Sequence, residues 1–184
     1  NNKKLGADLK NKFKNKIKRL EYLCEPNPTY TPNDYGLAAA QTNLDLINAK
    51  DAWDIVFGLP KIDIAVSDTY FDLNHEDLNM TLVGGTNNPY SVDPRYVYHG
   101  TSVAGCVAAI TDNNTGLASV GFDTDLFVTS IYGSDQEVRR LAEAGYRVIN
   151  CSWINACTFN SIQKELYDLI RSELNTVVVF GAGN

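Results

Sequence analysis

The chain has 184 residues, of which 44% are hydrophobic and 21% charged, and its formal net charge is −6. This length and composition fit one globular domain with a hydrophobic core, and they exclude a disordered or fibrous protein. No apolar run approaches the roughly 20 residues that a bilayer-spanning helix needs, so we predict no membrane span.

The first twenty residues form a basic segment, with eight Lys and Arg residues against the single acid Asp8. A basic arm can bind nucleic acid or an anionic lipid surface. The segment can equally be an ordinary amphipathic helix with a solvated lysine face, because its apolar residues recur at helical spacing. The rest of the chain is acidic, which argues against a nucleic-acid partner. We therefore favour the amphipathic helix and predict no nucleic-acid binding.

A stretch rich in Pro and Asn, Cys24–Asp34, follows the basic segment and is typical of a linker or an extended loop. Beyond it, short apolar runs alternate with helical patterns. Strands are predicted at Ile62–Val66, Leu126–Ile131, Arg147–Cys151 and Val177–Phe180. Helices are predicted at Gly100–Ile110, at about Gln136–Ala144, and across the apolar positions from Ile162 to Leu174.

Alternating strands and helices form right-handed β-α-β units with a parallel sheet. The predicted strands are continuously apolar, as is typical of strands that are buried on both faces. The sequence therefore predicts an α/β fold, a doubly wound parallel sheet with helices on both faces.

Three polar residues stand where such a sheet places its active site, at the carboxyl ends of its strands. Asp68 follows the first strand, where a carboxylate can orient a histidine or bind a cation. His99 opens a helix lined with Gly and Ala, and an imidazole suits a general base near neutral pH. Asn184 follows the last strand, where its amide can donate to negative charge that develops on a substrate oxygen.

Each of these residues also has an ordinary structural explanation when it is taken alone. Asp68 can cap a loop, His99 can precede a helix without any chemical role, and Asn184 can mark a helix start. Asp68 together with a metal ion would also suit an unrelated hydrolase or phosphatase. Metal-dependent turnover of a phosphate ester would favour that alternative.

Together and in this order, these segments resemble the subtilisin-like serine protease family, the subtilases. Val66–Thr69 is similar to the aspartate motif of the family, with Tyr70 where a Gly is usual. His99–Gly105, which reads His-Gly-Thr-Ser-Val-Ala-Gly, is similar to the histidine motif and is the most specific match. Ile149–Ser152 resembles the strand whose backbone pairs with the substrate. Val177–Asn184 resembles the strand and turn that end in the oxyanion-hole Asn.

The resemblance implies a serine endopeptidase that hydrolyses polypeptides through an Asp-His-Ser triad, with no cofactor required for the chemistry. Asp68 and His99 would be its aspartate and histidine, and Asn184 would donate to the oxyanion. The residues implied to bind the substrate are Asn150, Cys151, Ser152 and Trp153. The family usually has Gly-Gly shortly after the substrate-strand Ser, and Trp153-Ile154-Asn155 stands there instead. This departure predicts a narrowed or reshaped primary pocket.

The nucleophile of the family lies in Gly-Thr-Ser-x-Ala-x-Pro, well after the oxyanion Asn, and the chain has no match at such a place. Gly100-Thr101-Ser102 is only superficially similar, because it precedes the substrate strand and has Gly105 in place of the Pro. Ser102 is therefore interpreted as a helix residue. We expect a C-terminal fragment outside these residues to carry the nucleophilic Ser, and this chain alone to be inactive. The alternative is a non-catalytic subtilisin-like binding domain, a pseudoprotease.

The resemblance also implies domain limits, a location and a metal. Tyr22–Asn27 looks like the end of a propeptide, so residues 1–28 are predicted to be a basic helical segment with a propeptide-like end. Residues 29–184 would be the N-terminal part of a subtilisin-like catalytic domain. The family implies a secreted or cell-envelope protein. It also implies a structural calcium site between Asp77 and the polar turn that contains Asn113, with backbone carbonyls as further ligands.

The four cysteines form no metal-binding pattern. Cys106 and Cys151 lie in apolar runs and are interpreted as buried thiols. Cys24 and Cys157 lie in loop-like sequence, and whether one disulfide forms is left open.

Overall fold

A computed structural model describes residues 30–36, 42–56, 59–154 and 159–183. Its described residues from Thr31 onward belong to one compact unit. The basic segment, the propeptide-like end, Cys24, Cys157 and Asn184 lie outside the described residues, so what the sequence predicts for them stays a prediction.

The described chain folds into five parallel strands with helices between them. In chain order the elements are α1 (Thr42–Leu46), α2 (Ala49–Val56), β1 (Asp63–Ser67), β2 (Met80–Gly84), a 3₁₀ turn (Pro89–Ser91), α3 (His99–Ala108), β3 (Asp125–Thr129), α4 (Asp135–Glu143), β4 (Val148–Cys151), α5 (Ser161–Ser172) and β5 (Val177–Phe180). The strand order is β2-β3-β1-β4-β5, and every neighbouring pair is parallel. The predicted α/β fold with a parallel sheet is confirmed.

Helices pack on both sides of the central strand β1, because this strand is apolar on both faces. Val66 of β1 is fully buried against α3, where Ala104 is also fully buried. Its neighbour Ala65 faces the other way, into a core with Leu141 of α4 and Ile170 of α5. Fully burying side chains of the size of Leu or Ile contributes roughly 1.5–3 kcal/mol each. The doubly wound arrangement thus follows from burial on both faces.

Besides the 3₁₀ turn, three elements were not predicted, namely β2, α1 and α2. β2 is an edge strand whose residues are exposed or half-buried, so it has no continuous apolar run to mark it. The two helices are only five and eight residues long. Trp53 of α2 is buried in a separate small core with Leu44, Ala49 and Ala118.

A cluster around the buried Glu137 holds α4 against the sheet. Glu137 accepts hydrogen bonds from Thr129 Oγ1 at 2.7 Å and from Arg140 Nη2 at 2.7 Å. The hydrogen bond from Arg140 is the main cause that lowers the pKa of Glu137 below its usual 4.5, while burial opposes it and the Thr129 hydroxyl adds to it. The cluster connects the first turns of α4 to the carboxyl end of β3.

Glu137→Gln should destabilise the protein by roughly 1–3 kcal/mol at pH 7, because it removes a buried, charge-assisted acceptor. The folded-state pKa of Glu137 is depressed, so its contribution is present above pH 4.5 and is lost as the pH falls through the folded value. The difference between wild type and variant in urea unfolding should therefore shrink towards pH 3. The matched control is Glu143→Gln, which breaks the exposed Arg139–Glu143 pair of the same helix and should cost less than about 1 kcal/mol. Equal losses for the two variants would contradict this account.

Candidate active site

Asp68 and His99 meet at the carboxyl edge of the sheet. Asp68 follows β1 directly and is 1% exposed, and His99 is the first residue of α3. His99 Nδ1 lies 2.8 Å from Oδ1 and 3.0 Å from Oδ2 of Asp68. Because a carboxylate only accepts hydrogen bonds, Nδ1 carries the hydrogen and Nε2 keeps the lone pair. The His99 side chain is 42% exposed, which leaves the ring open to a reacting group.

The contact between the two residues depends on Gly100. A Cβ at this position would lie 2.4 Å from the carbonyl oxygen of Tyr70 and 3.1 Å from Cβ of Asp68. Any larger residue would therefore push the first turn of α3 away from the end of β1. The small residues that mark this helix in the sequence thus allow α3 to approach the end of β1 closely.

Two further residues support the pair and were missed in the sequence. Asp68 Oδ1 also accepts hydrogen bonds from the backbone N–H of Thr69 at 2.7 Å and from its hydroxyl at 3.2 Å. The single hydrogen of that hydroxyl is shared with the carbonyl oxygen of Tyr96, which lies at 3.1 Å and also accepts from the backbone N–H of His99 at 3.0 Å. The ring of Tyr96 stands edge-on to the imidazole at 6.4 Å. Thr69 was visible within the aspartate motif, whereas nothing in the sequence pointed to Tyr96.

The predicted substrate-binding residues divide into two groups. Asn150 and Cys151 lie in β4, which pairs with β1 on one side and β5 on the other. Their backbone is therefore used within the sheet, and the carbonyl oxygen of Cys151 accepts from Gly181 N–H at 3.1 Å. Ser152 and Trp153 lie beyond the ladder, so an added strand can begin there. Substrate binding itself stays a prediction.

Trp153 stands at the edge of an aromatic cluster. Its ring lies 5.2 Å from that of Phe180 in an edge-on arrangement, and Phe180 lies 5.3 Å from Tyr167. The hydroxyl of Tyr167 donates to Asp135 Oδ1 at 2.6 Å. The bulk that replaces the usual glycines is thus packed against side chains of β5 and α5. The narrowed pocket stays a prediction.

The two described cysteines differ in exposure. Cys151 is fully buried, as predicted, and burial is the main cause that raises the pKa of its thiol to about 12, with Asp135 and Asp68 adding to it. The prediction for Cys106 was wrong, because its side chain is exposed on α3. The run around Cys106 is apolar, but helical periodicity turns this residue away from the core. Cys151 is not a thiolate near neutral pH and cannot be a nucleophile there.

The predicted calcium ligands lie together at the loop that follows α3. Asn113 Nδ2 donates to Asp77 Oδ1 at 2.8 Å, and the backbone N–H of Leu117 donates to Asp77 Oδ2 at 3.0 Å. Gly116 has a φ of +63°, and a Cβ there would lie 1.9 Å from Asp77 Oδ2. The loop therefore wraps the buried carboxylate closely.

Asp34, which the sequence placed in a linker or extended loop, is a further acidic residue at this loop. It is fully buried, and its Oδ2 accepts from the backbone N–H of Asp112 at 2.7 Å. Its Oδ1 has no hydrogen-bond partner among the described residues. An orphaned buried carboxylate oxygen is a group that a hard cation would satisfy, and each oxygen of Asp77 has a lone pair left. The donor set therefore fits calcium only if loop carbonyls join, since the described residues contain no group of three His, Cys, Asp or Glu side chains placed to hold a metal.

The structure is a doubly wound parallel sheet with a buried aspartate and an exposed histidine hydrogen-bonded at its carboxyl edge. The two supporting residues of a Ser-His-Asp triad are arranged in this way. The model of the Subtilase family (peptidase S8) matches residues 60–184. The chain belongs to the subtilase family.

A curated relative agrees with this assignment, and a solved structure agrees with the fold. Thermitase from Thermoactinomyces vulgaris is 30% identical over 166 residues, which cover 84% of this chain and 58% of thermitase. MycP1 with its N-terminal propeptide removed has a similar fold, with a TM-score of 0.57 and 18% identity over 77% of this chain and 49% of that one. The chain thus spans about half the length of these proteins.

Location is not determined by the family. The major intracellular serine protease of Bacillus subtilis (strain 168) is 32% identical over 98 residues, which cover 50% of this chain and 30% of that protein. The secreted or cell-envelope location therefore stays a prediction. Among the helices that the structure describes, none is long and apolar enough to cross a membrane.

When residues 1–184 are treated on their own with iodoacetamide at pH 8, Cys106, which lines the open groove beside α3, should be modified. Cys151 should stay unmodified, because burial keeps its thiol protonated. In concentrated urea the two should react at similar rates. Peptide mass spectrometry after a timed quench measures both sites in one sample. Rapid modification of Cys151 in the folded protein would show that the end of β4 is open to solvent.

Proposed function

We propose that this chain supplies the aspartate, the histidine and the oxyanion donor of a subtilase serine endopeptidase, and that a segment outside these residues supplies the serine. The observation that carries the proposal is the hydrogen bond from His99 Nδ1 to the buried Asp68 carboxylate at 2.8 Å. This bond fixes the tautomer in which Nε2 can accept a proton. Family membership gives the reaction class, and polypeptides are the substrates.

In this reaction, His99 Nε2 takes the proton of the serine hydroxyl as the serine oxygen attacks the peptide carbonyl carbon. The carboxylate of Asp68 stabilises the imidazolium that forms. The same proton then passes to the leaving amine, which departs and leaves an acyl-enzyme. Water repeats the sequence and releases the acid. Asn184, the residue that follows Gly181–Gly183, would donate to the oxyanion of each tetrahedral intermediate.

An uncovered apolar face supports the proposal that the serine lies elsewhere. A groove of about 610 Å³ runs over the face of β1, β4 and β5 beside α3, and its walls include Ile62, Ile64, Val107, Phe122 and Val179. Val177 and Val179 of β5 are 59% and 48% exposed on that face. Parallel sheets are normally covered on both faces, so a further segment is expected to pack here.

The serines near the site have other roles. Ser102 lies in α3, and its hydroxyl donates to the carbonyl oxygen of Tyr98 at 2.9 Å. Ser152 Oγ accepts from Asn150 Nδ2 at 2.9 Å. Ser67 is fully buried. None of these three is placed as an activated nucleophile, which supports a serine from another segment.

A fluorophosphonate probe tests this assignment on the protein expressed from its complete reading frame. The probe should label a serine outside residues 1–184, and Asp68→Asn should lower the rate of peptide hydrolysis by about 10⁴-fold, as expected when the histidine loses its orienting carboxylate. Asp72→Asn is the matched control, since Asp72 lies four residues away and should leave the rate within about twofold. Label on Ser102 or Ser152 would overturn the assignment. No label and no hydrolysis in a folded protein would favour the pseudoprotease.

We also propose that calcium binds at the loop after α3, with Asp34 added to the predicted Asp77 and Asn113. This proposal is supported by Oδ1 of Asp34, which has no hydrogen-bond partner among the described residues. Asp34 lies beside the loop whose Leu117 N–H donates to Asp77. Calcium would stabilise this loop and take no part in peptide hydrolysis.

Thermal unfolding in millimolar calcium and in excess chelator tests this site. Calcium should raise the Tm of the wild type by several degrees, because a ligand that binds only the folded state stabilises it. Asp34→Asn should abolish most of that shift. Asp125→Asn, at the exposed first residue of β3, should retain it. An equal Tm with and without calcium would refute the site.

A further inference from the structure

Behind the catalytic pair, a second hydrogen-bonded pair joins the strand ends. Trp153 Nε1 donates to Ser67 Oγ at 3.1 Å, and Ser67 Oγ donates to the carbonyl oxygen of Ile131 at 2.8 Å. Ser67 is the last residue of β1, while Ile131 and Trp153 each lie two residues beyond the end of their strands, β3 and β4. One buried hydroxyl therefore connects the carboxyl ends of three neighbouring strands.

The position of Ser67 in β1 places this connection directly behind the site. Successive side chains of a strand point to opposite faces of the sheet. Val66 and Asp68 face α3, and Asp68 contacts His99 there, whereas Ala65 belongs to the core beneath α4 and α5. Ser67 therefore points to the face of α4 and α5, directly behind the catalytic aspartate.

The hydrogen bond from Trp153 to Ser67 lies just beyond the point where backbone pairing between β1 and β4 ends. The ladder between β1 and β4 ends with Ser67 opposite Cys151. On the other side, Asp68 N–H still donates to the carbonyl oxygen of Thr129 on β3 at 3.1 Å. The bond from Trp153 to Ser67 thus extends the attachment of β1 to β4 up to the residue before Asp68.

Trp153 is itself held in place. Its indole packs edge-on against Phe180, which is surrounded by Phe159 and Tyr167. A rigid indole whose N–H points at a buried hydroxyl gives that hydroxyl one orientation, towards Ile131. An aliphatic residue at position 153 could not donate such a bond.

We propose that Trp153 and Ser67 act together as positioning residues, which hold the end of β1 so that Asp68 stays in register with His99. The proposal rests on the proposed function for its kinetic test, but the geometry it describes exists within this chain. Trp153 thus has a role apart from the shape of the substrate pocket.

Kinetics on the protein expressed from its complete reading frame give the first test. Ser67→Ala and Trp153→Phe should each lower kcat on the order of tenfold, since misplacement by 1 Å can cost about 10²-fold. KM should be unchanged for Ser67→Ala, because the fully buried Ser67 cannot touch substrate. The double variant should be no slower than the slower single variant, as expected for two residues that act as one unit. Ser67→Thr keeps the hydroxyl and should restore kcat.

Trp53→Phe is the matched control. Trp53 also donates one indole hydrogen bond, to the carbonyl oxygen of Val120 at 3.2 Å, but it lies in the separate core with Leu44 and Ala49. Trp53→Phe should lower the stability of the protein as Trp153→Phe does, but it should leave kcat unchanged. If kcat falls equally in both tryptophan variants, or if the double variant is as slow as the product of the two single effects, the proposal is wrong.

A spectroscopic test separates this proposal from the proposed function. The hydrogen between His99 Nδ1 and Asp68 lies in a short, charge-assisted bond and should give a far-downfield proton NMR signal. The signal should broaden or disappear in Ser67→Ala and Trp153→Phe and persist in Trp53→Phe. If the wild type hydrolyses no peptide, the proposed function fails while this result still decides the positioning role. An unchanged signal in both site variants overturns it.

Discussion

The close approach of α3 to the end of β1 is the constraint on which the site depends. Gly100 permits it, because a side chain there would meet the backbone of Tyr70 and the side chain of Asp68. Once the helix is seated, its first residue can reach only what lies at the end of β1, and this is a buried carboxylate. The geometry of the Asp68–His99 pair is thus a consequence of helix packing, and the same contact buries Ala104 in the core.

The two faces of the sheet contribute different parts of the site. The face on which α3 packs carries the Asp68–His99 pair and borders the open apolar groove. The opposite face, beneath α4 and α5, carries buried polar contacts that hold the strand ends, with Glu137 near Thr129 and with Ser67 near Trp153. Buried polar groups are costly unless they are satisfied, so these contacts specify one arrangement of the strand ends. A site at the carboxyl edge needs such contacts to fix the strand ends, because the backbone hydrogen bonds between the strands end there.

The loop after α3 shows how a polar turn is built around buried charge. Asp77 and Asp34 both accept backbone N–H groups of residues 112–117. The left-handed φ values of Asp112, Asn114 and Gly116 turn these groups inward. Residues of this type tolerate positive φ at little cost, which explains the Asp-Asn-Asn-Thr-Gly composition of the turn. The resemblance to the family pointed to Asp77, whereas Asp34 lies 78 positions before its partner Asp112.

The sequence by itself determined the parallel α/β fold, four of the five strands and the Asp68–His99 pairing. These depend on apolar periodicity and on short motifs, which are local along the chain. The last predicted strand, Val177–Phe180, has the predicted bounds, and the other predicted elements differ from the structure by one or two residues at their ends. Only the tertiary structure decided four further features: the hydrogen bond between Thr69 and the carbonyl oxygen of Tyr96, the contact of Asp34 with the loop after α3, the contact of Trp153 with Ser67, and the exposure of Cys106. In each case the residue type allows several environments, and the packing of other elements selects one.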